Sequence, residues 1–281
     1  MLWSLSCGSL PAALRLARLY TGVLRLALPR LGRIARRNLA MALPQCDETT
    51  RERVAGGSFT SIARLLVSMA RLGRLTPENI GEWIVYDGLE HFQDAKRRGK
   101  GVLFATAHLG NWELSAFAHG LMTEPMHVVV RALDNPKIDG LLTRLRTLSG
   151  NRVIEKRDFA RGILRALARN EAVGVLIDQN TSLDEGVFVD FFGVPACVGT
   201  GFAKIAAHSG AAIIPGFALW SEAERRYILK FYAPLYASGD MEADTRLIHA
   251  RLEAVIREHP DQWLWMHRRW KTRPPGEPPL Y

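Results

Sequence analysis

The run "VLFATAHLGNWELSAF" (102–117) passes from an unbroken apolar stretch into a histidine, a glycine and an asparagine, and then into a second apolar pattern. An apolar run of this length marks a strand buried on both faces, and such strands belong to parallel sheets covered by helices. Gly110 permits a tight bend, Asn111 is a favourable helix N-cap, and Glu113 falls in the first turn, where the helix dipole favours an anion. The stretch predicts a strand, a turn and a helix, with His108 at the carboxyl edge of the strand.

Similar runs recur at 126–130 (MHVVV), 173–177 (VGVLI) and 213–218 (IIPGFA). Each predicts a buried strand, and each except the last is expected to lead into a helix. The best-punctuated helix has Asn135 as cap, Pro136 at its first position and Ile138, Leu141, Leu142 and Leu145 at helical spacing, with Gly150 closing it. A helix over 49–75, a final strand at 227–231 and a helix near 243–258 complete the pattern, and the tail "TRPPGEPPLY" should be irregular. The implied fold class is α/β, a central sheet with crossover helices.

With 281 residues, 48% of them hydrophobic and 23% charged, the chain is expected to be globular, as one large domain or as a domain plus a small appendage. The expected division is a helical segment over 1–44 and the main domain over 45–281. A formal net charge of +9 favours an anionic partner: nucleic acid, an anionic membrane surface or a phosphorylated substrate. Cys7, Cys46 and Cys197 form neither a C-x-x-C pair nor a zinc pattern, which suits a reducing compartment. In 1–29, Arg15, Arg18 and Arg25 interrupt a Leu/Ala-rich run, so no stretch of ~20 apolar residues is present. At ~100° per residue these arginines lie within about 80° of one another, while leucines cover much of the remaining surface. Such a helix suits a membrane interface, with Arg30, Arg33, Arg36 and Arg37 extending the cationic stretch; the alternative is a helix packed on its own domain.

His108 and Glu113 would stand ~140° apart on one continuous helix, so they can meet only through the "LGN" turn. A carboxylate on one imidazole nitrogen would fix the tautomer while the other nitrogen takes a proton. Without a Ser or Cys nucleophile beside them, the corresponding chemistry is deprotonation of an acceptor hydroxyl. The alternative is a structural histidine near a helix cap. Arg131 ends the second strand, and Asp178 with Gln179 ends the third, so three strand ends offer polar groups to one rim, where open α/β sheets place their sites. Arg131 reads as a bidentate clamp for a phosphate or as a solvated charge. Phe191 and Phe192 in "VFVDFFGVPA" (187–196) read as a pocket wall or as core aromatics. The segment "QWLWMHRRWKTRP" (262–274) interleaves Trp263, Trp265 and Trp270 with Arg268, Arg269, Lys271 and Arg273, as a membrane-facing or anion-binding surface would. Stacking on single-stranded nucleic acid is the competing reading, and the amphipathic N-terminus argues against it. Neither metal-ligand spacing nor a phosphate-binding loop occurs, so no metal or nucleotide cofactor is expected.

From about Arg37 onward the chain resembles the lipid A biosynthesis (late) acyltransferase family. "HLGNWE" resembles that family's H-x-x-x-x-[DE] box, which glycerolipid acyltransferases share in looser form, and "VVRALDNP", "GVFVDFFGVPA" and "QWLWMHRRWKTRP" resemble three further family segments in the same order. The resemblance implies a glycerolipid-acyltransferase-like mixed sheet flanked by helices, with an N-terminal membrane-associating segment. It implies O-acyl transfer with His108 as general base and Glu113 as its partner, and a substrate held among Asn111, Arg131, Asp178, Phe191, Phe192, Arg268 and Arg269. The implied donor is an acyl-carrier protein or coenzyme A thioester, and the acceptor a phosphorylated glycolipid at the cytoplasmic face of the bacterial inner membrane. Neither a covalent intermediate nor a cofactor is required, and backbone amides around Gly110 to Trp112 would stabilise the oxyanion. A lipid A precursor is the expected acceptor; another glycolipid such as a phosphatidylinositol mannoside, or a non-catalytic anionic-lipid-binding role, are the alternatives. Two departures stand out: arginines break the N-terminal anchor, and Leu219 and Trp220 follow "IIPGFA" where the family often has an arginine.

Overall fold

The computed structural model describes residues 1–155 and 159–281. Helices α1 (Leu2–Ser6), α2 (Leu10–Ala27) and α3 (Pro29–Ala42) lead into the long α4 (Glu48–Arg71), whose first turn is capped by the Asp47 carboxylate accepting from the Thr50 amide. Then follow β1 (Ile84–Asp87), α5 (Leu89–Arg97), β2 (Val102–Thr106), α6 (Trp112–Met122), β3 (His127–Val130), α7 (Pro136–Thr147) and β4 (Arg152–Glu155). The remainder is α8 (Phe159–Ala168), β5 (Ala172–Leu176), β6 (Gly186–Phe191), β7 (Val194–Gly199), α9 (Gly201–Ser209), β8 (Ala212–Ser221), β9 (Arg226–Phe231) and α10 (Met241–Glu258).

Seven strands form one sheet in the order β1-β9-β8-β2-β5-β3-β4. From β8 to β4 all neighbours are parallel, whereas β9 runs antiparallel to β8 and carries β1 parallel to itself. The sheet is therefore mixed but mostly parallel. Its central strand β2 is buried on both faces, as its unbroken apolar run predicts: Leu103 and Ala105 pack toward Ile163, Phe202 and Leu252 of α8, α9 and α10, and Phe104 toward Phe92 and Phe117 of α5 and α6.

One expected helix is absent. After β5 the chain forms the antiparallel β6–β7 hairpin instead, closed by the two-residue turn Phe192-Gly193. Both turn residues have positive φ, 61° and 76°, the conformation that matches the twist of hairpin strands. A phenylalanine seldom adopts it, and here its amide is held by the Glu253 carboxylate at 2.7 Å. The four-residue β1 and β4 also lie outside the predicted strands; both are short edge strands of the sheet.

At the N-terminus, Leu5, Ala13 and Ala17 pack against Ala63 and Val67 of α4, the small alanines letting α2 approach closely. The other face of α2 leaves Leu19, Val23 and Leu26 at 61%, 55% and 82% exposure. The helix thus packs on its own domain through one face and carries an apolar stripe on another. Among the described residues no helix is long and apolar enough to cross a membrane.

The turn after β2 is fixed from both sides. The Gly110 amide donates to the Gln262 carbonyl and the Asn111 amide to the Ala218 carbonyl. Gly110 has φ 63°, and a Cβ on it would stand 2.0 Å from the Ala218 carbonyl oxygen, a backbone atom of β8 that cannot swing aside. Gly110→Ala is expected to cost more than about 2 kcal/mol, read as a large loss of thermal stability or of soluble protein.

Candidate active site

The parallel register that pairs Thr106 with Leu176 continues past the strand ends, so His108 and Asp178, each two residues further on, come side by side. The imidazole Nδ1 lies 2.8 Å from Asp178 Oδ1. The other carboxylate oxygen, Oδ2, accepts from the His108 amide at 3.0 Å and from the Trp263 indole N–H at 2.8 Å. Three donors thus converge on one carboxylate that is 3% exposed. Burial alone would raise the Asp178 pKa, but the attraction of His108, the imidazole and indole hydrogen bonds and the amide outweigh it and hold the carboxyl well below its usual range. For His108 burial opposes the charged form, and the Asp178 charge and hydrogen bond, helped by Glu113, outweigh burial and raise its pKa above the ordinary 6.5. A carboxylate on Nδ1 keeps the proton on that nitrogen and leaves Nε2 as the base.

The carboxylate that orients His108 is therefore Asp178 and not Glu113. Glu113 lies in the first turn of α6, where it forms a bidentate ion pair with Arg146 of α7: Nε to Oε2 at 2.9 Å and Nη2 to Oε1 at 2.5 Å. The guanidinium competes better for this carboxylate than imidazole does, because its planar fork satisfies both oxygens at once. Burial opposes the charge on Arg146, and Glu113 overcomes it, raising the guanidinium pKa further.

Several other expected substrate contacts have structural roles. Asn111 is buried, with Oδ1 accepting from the Leu114 amide at 3.1 Å and Nδ2 donating to Ser68 at 2.7 Å, so both ends of its side chain are engaged in capping α6 and tying it to α4. Arg269 is 0% exposed and donates to the carbonyls of Gln179 and Cys197, anchoring the chain just beyond Asp178. Burial pushes its pKa down to about 10. Phe191 and Phe192 pack on Trp263, Phe192 nearly parallel to the indole, and neither lines the slot beside the pair. Trp263, Trp265 and Trp270 are themselves buried, and each indole N–H finds a protein acceptor: the buried Asp178 and the half-buried Pro260 and Val194 carbonyls. The expected membrane-facing surface over 262–274 is thus an internal scaffold beneath the His108–Asp178 pair, with Arg268 half-buried over the Tyr281 ring. Arg131 is exposed at the end of β3, on the expected rim. The amides of Gly110 and Asn111, already donating to Gln262 and Ala218, are unavailable to an oxyanion.

Trp263 is a partner of Asp178 that spacing alone does not single out. Trp263→Phe keeps the ring packing and removes one charge-assisted hydrogen bond from Asp178. It should cost about 1.5–3 kcal/mol of stability in thermal or urea unfolding.

Beside the pair a narrow apolar slot, with a cavity volume of about 70 Å³, opens between the sheet and α6. Its lining includes Trp112, Glu113 and Arg146 at one end, Thr106, Val128, Val130 and Leu176 along the sheet, and Phe104, Met126 and His119 deeper in. Trp112 joins it to the base, its ring 5.0 Å from the His108 ring centre. The apolar walls suit an apolar ligand or an acyl chain.

Comparisons with known proteins point the same way. The sequence model for the family described as "Bacterial lipid A biosynthesis acyltransferase" matches residues 3–272. The chain is 31% identical over 270 residues to the lipid A biosynthesis lauroyltransferase of Escherichia coli (strain K12), covering 94% of this chain and 88% of that one. It is 30% identical over 258 residues to the lipid A biosynthesis palmitoleoyltransferase of the same organism, with 90% and 83% covered. A lipid A biosynthesis acyltransferase of Haemophilus influenzae is 26% identical over 245 residues, with 86% and 76% covered.

Proposed function

The chain belongs to the bacterial lipid A biosynthesis acyltransferase family, and from that premise we propose that His108, held by Asp178, deprotonates a hydroxyl of a lipid A precursor, which then attacks an acyl thioester. The enzyme is an acyltransferase of lipid A biosynthesis. The observation that carries the assignment of the base is the 2.8 Å contact between His108 Nδ1 and a buried, ionised carboxylate. The hydroxyl proton passes to His108 Nε2 as the new ester bond forms, and on collapse of the tetrahedral intermediate the thiolate of the donor leaves with a proton returned by the imidazolium. General-base assistance is worth ~10²–10⁴-fold, so positioning and oxyanion stabilisation supply the rest. With Gly110 and Asn111 engaged elsewhere, the oxyanion is met by the amides of Trp112 and Glu113 at the start of α6 and by the Gln179 side-chain amide, whose Nε2 stands 3.4 Å from His108 Nε2.

The acyl chain of the donor occupies the slot under α6, and Arg131 on the rim binds a phosphate of the acceptor. Glu113 and Arg146 shape the mouth of the slot. The donor is an acyl-carrier protein or coenzyme A thioester, the former favoured by the net charge of +9, since carrier protein is acidic. Residues 1–44 form the membrane-associating segment: the apolar stripe Leu19, Val23 and Leu26 enters the interface, and the exposed Arg15 and Arg18 meet anionic headgroups. α7, which buries none of its residues and exposes Ile138 and Leu141, offers a second apolar face beside the slot mouth. Because both donors are cytoplasmic, the reaction is placed at the cytoplasmic face of the inner membrane.

The test is mass spectrometry of a phosphorylated lipid A precursor incubated with purified enzyme and either acyl-carrier protein or coenzyme A thioester. A gain of one acyl mass with carrier protein supports the reading. No acylation with either donor, together with liposome binding, would sink it in favour of a lipid-binding role.

A further inference from the structure

The buried end of the slot, away from Trp112, is built differently from its walls. There the apolar lining is interrupted by His119 of α6, which is 1% exposed. Its Nδ1 lies 2.7 Å from the Tyr86 hydroxyl, which also contacts Thr123 Oγ1 at 2.9 Å. Its Nε2 is buried without a hydrogen-bond partner. Three phenylalanines surround the ring edge-on or tilted, Phe92, Phe104 and Phe231, at centroid distances of 4.6, 5.3 and 5.8 Å. Burial, with a smaller contribution from Lys96, pushes the imidazole pKa down to about 3, so the ring is neutral and compatible with a hydrocarbon neighbour.

A polar ring left half-satisfied in an apolar slot is costlier than a leucine of similar reach, and a retained cost of this kind asks for a reason. The clamp from Tyr86 and the surrounding aromatics provides one, because it denies the ring other rotamers. Seven residues separate His119 from Trp112, so the ring lies ~10 Å along the helix from the reacting end. Two glycines on the opposing strands make room for the side chains that floor the slot, Gly174 level with Phe104 and Gly216 one step beyond the Ala105–Pro215 pair. A Cβ on Gly174 of β5 would meet the end of Met126 at 2.8 Å, and one on Gly216 of β8 would meet the Phe231 ring at 3.0 Å. Glycine inside a strand commonly marks a close approach by a ligand or a neighbouring chain.

Resting on the assignment of the slot to the acyl chain, we propose that His119, locked by Tyr86, is the stop that sets the length of the chain this enzyme transfers. Gly174 gives the end of Met126 room to lie back from the slot, so a methyl group there would push Met126 into it. Met126 completes the floor.

The test measures transfer from a series of saturated acyl-carrier protein thioesters, in steps of two carbons, and in parallel the thermal stabilisation of the protein by free fatty acids of the same lengths. His119→Ala should move the preferred length up by at least one step, with kcat/KM for the longer chain rising about tenfold or more relative to the original optimum. Gly174→Ala should move it down. The fatty-acid series should show the same displacements, which keeps the stop testable even if the transfer assay fails and with it the proposed reaction. A folded His119→Ala protein that keeps the wild-type length preference in both assays overturns the proposal. Should that variant not fold, an unchanged length preference in Gly174→Ala overturns it instead.

Discussion

Asp178→Asn is expected to yield a folded protein whose kcat/KM is lower by about 10³–10⁴-fold, on the scale seen when the orienting carboxylate of a catalytic triad is made an amide. The asparagine oxygen can still accept from the Trp263 indole, but its NH₂ then faces His108 Nδ1 and drives the proton onto Nε2. The imidazole is left with its acceptor nitrogen turned away from substrate. The pH profile should change as well. Neutral His108 is the active form, so wild-type kcat/KM falls as pH drops through a pKa raised above 6.5. Without the Asp178 charge, burial dominates, and the residual activity should have its acid limb at lower pH. The stability signs follow from the same shifts. The raised His108 pKa contributes stability that is complete below about 6.5 and lost as pH rises through the folded value. The depressed Asp178 pKa contributes stability above about 3.8 that is lost as pH falls through its folded value. Asp178→Asn removes both, so its unfolding midpoint should vary less with pH than that of the wild type.

Glu113→Ala is the second large effect, and it works by another route. Removing the carboxylate leaves the Arg146 guanidinium, whose side chain is 21% exposed, without its bidentate partner at the mouth of an apolar slot. Deleting one member of a buried pair costs about 3–5 kcal/mol, and the lower end applies here because Arg146 keeps some contact with water. Activity should fall with the displaced α6–α7 contact. If Glu113 acts through Arg146, the double variant Glu113→Leu/Arg146→Met recovers most of the stability, and the acid limb of Glu113→Ala moves far less than that of Asp178→Asn. Denaturant unfolding of the two single variants and the double gives the coupling directly. Additive losses would contradict the ion pair.

The sheet was legible because its central strands are buried on both faces and therefore have unbroken apolar runs. His108 was legible for a related reason, since a polar residue ending such a run must emerge at the sheet edge. Its partner was harder to identify. Within the box Glu113 is the nearer carboxylate in sequence, yet sequence distance says little about strands that pair across the fold. The usable signal needed the run expected at 173–177 to begin one residue earlier: 102–108 and 172–178 then have the same length from first apolar residue to terminal polar one, and an in-register parallel pair sets His108 beside Asp178. The tryptophans at 263, 265 and 270 were misleading because an alternation of aromatics and arginines looks alike on a surface and in a scaffold. The two are distinguished by the protein acceptors that the indole N–H groups find in the fold. The Phe192-Gly193 turn was hidden because phenylalanine takes a positive φ there only with the support of Glu253, from an element far along the chain.

The most direct measurement is single-turnover acyl transfer to a phosphorylated lipid A precursor by wild type and by His108→Gln, both shown folded by circular dichroism and followed by the mass of the lipid product. The proposed base predicts that wild type adds one acyl mass and that His108→Gln is slower by at least about 10²-fold. Transfer by His108→Gln at the wild-type rate would contradict it.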